Sequence, residues 1–243
     1  MLVTEEEWNC CASPSEMLSD GLVDNFSFRK LGLCGWAVIS KLQNFNMCEP
    51  WIDSYQVAEA KLDKLNPIPS WWPMPTEHTW PSDQFKRLGR QAVHAIICEG
   101  ILRFPPMAPR QLMSQVKLGL WYAAQAETYE ITSIPTIVAK DTPPDHPANE
   151  VWNRVRHSQA AVVREIFGPV PFRAITCDPL WRTSTAVAIA TGIYDDKAFD
   201  RLPILADCLQ DSGCEDAEIL NHLRSDGPHV KGCWPLDLVL GKS

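Results

Sequence analysis

Residues 201–243 read RLPILADCLQDSGCEDAEILNHLRSDGPHVKGCWPLDLVLGKS, and the alternation of apolar runs and breakers in this stretch decides the fold class. A helix is predicted from Arg201 to about Ser212, ending at Gly213. A second, from Asp216 to Arg224, carries Ile219, Leu220 and Leu223 on one side before Gly227-Pro228 breaks it. Recurrence at helical spacing predicts an apolar face, and glycine or proline just past it predicts a stop. The tail is therefore expected to close into a compact helical knot, either dry and apolar or pinned by an ion.

The same segment holds Cys214, His222, His229 and Cys233, a spacing of C-x7-H-x6-H-x3-C. Two thiolates and two imidazoles are the donors that zinc takes in a tetrahedral set. Only His229-x3-Cys233 approaches the close pairing usual in zinc modules. The simpler alternative makes Cys214 an apolar residue tucked in after the Gly213 helix stop, Cys233 a core residue beside Trp234, and His229 a partner for a helix-end carbonyl. The cofactor expectation is thus none, or a structural zinc. A cysteine hydrolase is the enzymatic alternative, with Cys233 or Cys214 as nucleophile, His222 or His229 as base and Asp216 or Asp237 as orienter. No nucleophile elbow, P-loop, dinucleotide-binding glycine fingerprint or HExxH occurs, which argues against an enzyme.

Upstream of the tail, Thr185 to Tyr194 reads as a small helix, Asp178-Pro179 as a cap followed by a first helical position, and Phe172 to Cys177 as a short extended piece. Asn149 to Phe167 is helical through Val151, Val155, Val162, Val163 and Ile166, and Gly168-Pro169 stops it. Residues 131–147, with Pro135, Pro143, Pro144 and Pro147, form a linker or long loop between a helical N-terminal region (1–130) and a helical C-terminal unit (148–243). In the N-terminal region, Thr4 with Glu7 and Ser13 with Pro14 and Glu16 are capping-box patterns. Helical stretches follow at 27–43 and 50–65, expected to pack antiparallel, then at 82–103 and from Pro109 to about Tyr129. The fold class expected is mainly α: an irregular multi-helix bundle with long proline-rich loops.

Between residues 66 and 81 stand Pro67, Pro69, Pro73, Pro75 and Pro81 with Trp71, Trp72 and Trp80, a proline density no helix survives. The segment is either an extended aromatic arm that grips a partner or a polyproline-like crossover whose tryptophans cover the helices beneath.

The net charge of −8 leaves no overall positive field to collect phosphates, so nucleic acid is not an expected partner. The longest apolar run, Leu31 to Ile39, is far short of the ~20 residues that span a bilayer, and Met1-Leu2-Val3 followed by Thr4-Glu5-Glu6-Glu7 lacks the basic flank of a secretory signal. A cytoplasmic, membrane-free protein is expected, with its nine scattered cysteines as thiols.

Gly213-Cys214, Ile219-Leu220, His222-Leu223-Arg224, Gly227-Pro228-His229-Val230, Gly232-Cys233-Trp234 and Asp237-Leu238 to Gly241-Lys242 together resemble the C-terminal signature of an uncharacterised family of bacterial proteins. Arg164-Glu165-Ile166-Phe167-Gly168, Pro171-Phe172-Arg173 and the run from Tyr194 to Asp207 are similar to the same family, and so is the start from Thr4 to Trp8. The resemblance implies a bacterial cytosolic origin and no known activity. It does not extend to the tryptophan- and proline-rich middle. The expected function is a non-enzymatic protein-interaction or regulatory module, with the C-terminal unit as scaffold and Trp71, Trp72 and Trp80 as the contact surface for a protein partner. A zinc-stabilised module and a small cysteine-dependent hydrolase are the alternatives.

Overall fold

The computed structural model describes residues 4–19, 22, 26–40, 108–132, 147–169 and 171–242. The expected helices at 50–65 and 82–103, the segment with Trp71, Trp72 and Trp80, and residues 133–146 of the expected linker lie outside the described residues. Every regular element among the described residues is helical, as the caps and breakers predict, and none of these helices is long and apolar enough to cross a membrane. By its internal contacts the chain divides into two compact units, residues 1–161 and 162–243.

The first unit opens with α1 (Glu5–Cys10), closed by the expected capping box: the Glu7 N–H donates to Thr4 Oγ1 at 3.1 Å and the Thr4 N–H to Glu7 Oε2 at 2.8 Å. Helix α2 (Pro14–Met17) starts with proline at its first position, but Ser13 makes no side-chain cap. Its hydroxyl instead accepts from Arg156 Nη2 at 2.5 Å, a charge-assisted bond that outcompetes a backbone N–H. Helix α3 (Phe28–Ser40) packs on α4 (Pro109–Thr132). Leu31, Leu33 and Cys34 on α3 and Leu112, Met113, Val116 and Leu120 on α4 are all buried. Each large aliphatic side chain so placed stabilises the unit by about 1.5–3 kcal/mol relative to exposure.

Helix α5 (Pro147–Phe167) runs through the unit boundary, and its end from Val162 belongs to the second unit. There follow α6 (Ser184–Asp196), a 3₁₀ turn (Phe199–Arg201), α7 (Leu202–Asp211), α8 (Ala217–Leu223) and α9 (Trp234–Leu240). The expected extended piece at 172–177 is irregular, and Asp178-Pro179 starts a turn in which Asp178 Oδ1 accepts the Leu180 N–H at 2.9 Å. Thr183 caps α6 through the Ala186 N–H, and Asp216 caps α8 through the N–H groups of Glu218 and Ile219. At the end of α7, Gly213 adopts φ +90°, the Cys214 N–H returns to the Leu209 carbonyl and the Gly213 N–H to that of Gln210. This double bond pattern satisfies orphan helix-end carbonyls and turns the next side chain inward. Ala190, Ile193, Leu205, Leu209, Ile219, Leu223, Trp234, Leu236 and Val239 share one core, so four short helices are held by each other rather than by propensity.

Candidate metal centre

The second unit brings together four side chains from separate elements. Glu165 lies in the last turn of α5, and His222 in the last turn of α8. His229 sits in the irregular segment that follows, and Cys233 at the N-terminus of α9. Two glycines make the convergence sterically feasible. Gly227 has φ +93°, and a Cβ there would come within 2.6 Å of the His229 backbone nitrogen. Gly168 has φ +52°, and a Cβ there would strike the Trp234 ring at 2.5 Å. Both positions need the left-handed backbone and the missing side chain that only glycine supplies without strain. The indole seated on Gly168 in turn meets the His222 ring edge-on, with centroids 5.3 Å apart.

The donor atoms of Glu165, His222, His229 and Cys233 all lie within 4.8 Å of one another. Glu165 Oε2 is 2.9 Å from His222 Nε2, and Oε1 is 3.1 Å from His229 Nδ1. Cys233 Sγ is 3.6 Å from His222 Nε2. Tetrahedral zinc with bonds of about 2.0–2.3 Å separates its ligand atoms by roughly 3.3–3.8 Å, so small widening of the histidine–carboxylate contacts admits an ion. The group can hold a metal ion. Oxygen, nitrogen and thiolate sulfur together suit a borderline-soft cation.

The outer nitrogens fix the proton positions. His229 Nε2 lies 2.9 Å from the Ser225 carbonyl, which only accepts, so Nε2 carries a proton. His229 Nδ1 faces the Glu165 carboxylate, and a proton there as well makes this ring an imidazolium. Burial pushes the His229 pKa down, but the hydrogen bond to Glu165, its charge and the Ser225 carbonyl outweigh that and leave it raised. For Glu165 burial pushes upward, and hydrogen bonds from His222 and His229 hold the carboxyl below its ordinary value. Without an ion, Glu165 and His229 thus each favour the charged form of the other.

Three of the four sequence candidates, His222, His229 and Cys233, are thus brought together, and Cys214 is not in the group. It is 1% exposed within the apolar core, where the helix-end turn at Gly213 sends it. The fourth donor is Glu165, which lies far upstream of the tail in sequence. Its signal was a carboxylate set among Val162, Val163, Ile166 and Phe167, all buried in the final turns of α5. The arrangement for a hydrolase is not assembled at His222, whose Nδ1 meets the Trp234 indole N–H at 3.2 Å instead of an aspartate. Asp216 caps α8, and Asp237 is buried in the first turn of α9.

The first unit has an open cleft of about 910 Å³ lined by Glu7, Cys10, Cys11, Trp152, Arg156 and His157 among others. Its polar groups are engaged with each other: Arg156 with Ser13 and Ser15, His157 Nδ1 with the Asn153 carbonyl at 2.7 Å, Glu7 with Thr4. They do not converge on one point as the second unit's donors do.

No protein-family model matches the chain, and neither a curated protein nor a solved structure matches it.

Proposed function

We propose that the second unit is a metal-binding module in which the Glu165, His222, His229 and Cys233 cluster takes up one zinc ion. The observation that carries this reading is the convergence of four donors, one from α5 and three from the tail, in a partly buried polar cluster that adjoins the apolar core at Cys233. Zinc is the ion favoured by a mixed thiolate, imidazole and carboxylate set. His229 has the outer hydrogen bond to a carbonyl that orients metal-bound histidines. Loading expels the protons on Cys233 Sγ and His229 Nδ1 and joins the tail to the end of α5, so metal affinity adds to folding stability. A tail fixed in this way suits the scaffold of a protein-interaction or regulatory module.

The test is elemental analysis of protein purified without chelator, followed by thermal unfolding with and without zinc. About one zinc per chain and a melting temperature raised by zinc are expected. A content well under one, with melting unchanged by zinc or by chelation, rejects the reading.

A further inference from the structure

We infer that three of the four clustered groups, Glu165, His229 and Cys233, bind the ion, while His222 stays outside its coordination sphere and leaves the fourth position to an exchangeable water or small anion. This rests on the metal-binding reading and specifies its coordination.

The inference comes from the direction of one hydrogen bond. An indole N–H only donates, and Trp234 Nε1 lies 3.2 Å from His222 Nδ1, so Nδ1 is the acceptor and carries no proton. The neutral ring then has its proton on Nε2, the nitrogen that faces Glu165 Oε2 at 2.9 Å and Cys233 Sγ at 3.6 Å. That nitrogen is a donor to the carboxylate. To bind a metal through it, a neutral imidazole must move its proton to Nδ1, which sets two N–H groups against each other.

Relief by moving the indole is blocked. Trp234 is 5% exposed, and its ring lies against Gly168 so closely that even a Cβ there would overlap it. His229 has the opposite arrangement: its outer nitrogen donates to the Ser225 carbonyl and its inner nitrogen is released for a ligand when its proton leaves. The two histidines are therefore unlike in role although they are alike in proximity.

Burial separates them in the same way. The side chains of Glu165 and His229 are 3% and 8% exposed and Cys233 is fully buried, whereas His222 is 21% exposed. The side of the cluster that reaches water is the side where His222 stands. Three protein ligands with a solvent-side vacancy is the pattern of zinc sites that keep a water or take a substrate atom, in contrast to closed structural sites. The ligand class is a small Lewis base, neutral or anionic, held on the ion beside the His222 N–H. Because Glu165 and the Cys233 thiolate already neutralise a divalent ion, such a ligand binds weakly and exchanges.

Cobalt(II) loading of the full chain tests this, since cobalt reports its coordination in visible absorption. Addition of azide to the wild-type cobalt protein is expected to shift the bands in a saturable way. His222→Gln, which keeps a donor for Glu165, is expected to retain about one cobalt per chain with affinity reduced by no more than roughly a hundredfold, the scale of an outer partner. His229→Ala and Cys233→Ala are expected to lose more than roughly a hundredfold, beyond that scale. A wild-type spectrum indifferent to azide, or a His222→Gln protein that loses cobalt as completely as His229→Ala, overturns the inference while the metal reading stands. A wild-type chain that takes up no cobalt overturns both. The azide titration needs no variant, so a poorly folding substitution does not decide the outcome.

Discussion

Two buried polar side chains, one in each unit, are treated in opposite ways. Gln125 on α4 is 1% exposed, and neither its amide oxygen nor its nitrogen has a hydrogen-bond partner among the described residues; the Thr128 hydroxyl one turn on is in the same state. Glu165 on α5 is 3% exposed and carries a charge, yet each of its oxygens faces an imidazole nitrogen. Leaving a neutral polar group unsatisfied costs about 1–3 kcal/mol, which a packed unit can absorb. Leaving a carboxylate bare costs far more, so it persists only where partners are built around it. Burial alone does not single out a candidate site; the converging partners do.

The strongest way to break this contrast is Glu165→Ala. It deprives His229 of its counter-charge and both histidines of their acceptor. Removal of one partner from a buried pair is expected to lower stability by about 3–5 kcal/mol, measured by urea unfolding of metal-free protein. A loss near zero equates the two units and removes the reason to single out the cluster.

The same pair sets a pH dependence in the metal-free state. Despite burial, the Glu165 pKa is lowered from 4.5, so its stabilisation is present above that value and lost as pH falls through the depressed folded pKa. His229 is raised from 6.5, so its stabilisation is present below that value and lost as pH rises through the elevated folded pKa. Between 4.5 and 6.5 both contributions are at full strength, and the melting temperature is expected to peak there. His229→Gln is expected to flatten the alkaline side; an unaltered profile contradicts the assigned proton positions.

Substitution in the first unit should have the opposite sign. Gln125→Leu removes an unsatisfied amide and is expected to stabilise by about 1–3 kcal/mol in the same unfolding measurement. Destabilisation there means the amide has a partner that matters. The smallest effect expected is for Asp216→Ala, which deletes the α8 cap at a cost of about 1 kcal/mol. It serves as the control that shortening a helix near His222 does not reproduce the loss of Glu165.

Much of the helical layout was legible because capping chemistry is local. Thr4 with Glu7 and the Gly213 stop each act within a few residues of where they stand, and each does what its spacing predicts. Ser13 shows the limit: its cap yields to Arg156, a partner from a distant helix. Helix α9 had an overlooked local signal, with Pro235 in its first turn and Gly241 at φ +66° past its end. The candidate cluster divides along the same line. His222, His229 and Cys233 stand close in sequence and were readable by proximity, whereas Glu165 enters from α5 through tertiary packing that no short window contains. Cys214 falls the other way, since the turn that places it was recognised but its inward direction decides between core and ligand only once the helices have packed.

The order of the donors along the chain has a consequence for assembly. Glu165 leaves the ribosome well before His222, His229 and Cys233, because synthesis runs from the N-terminus. Until the tail is present, that carboxylate lacks the partners that its burial requires. His222 and His229 supply those hydrogen bonds, so the low-cost burial of Glu165 depends on the part of the chain made after it.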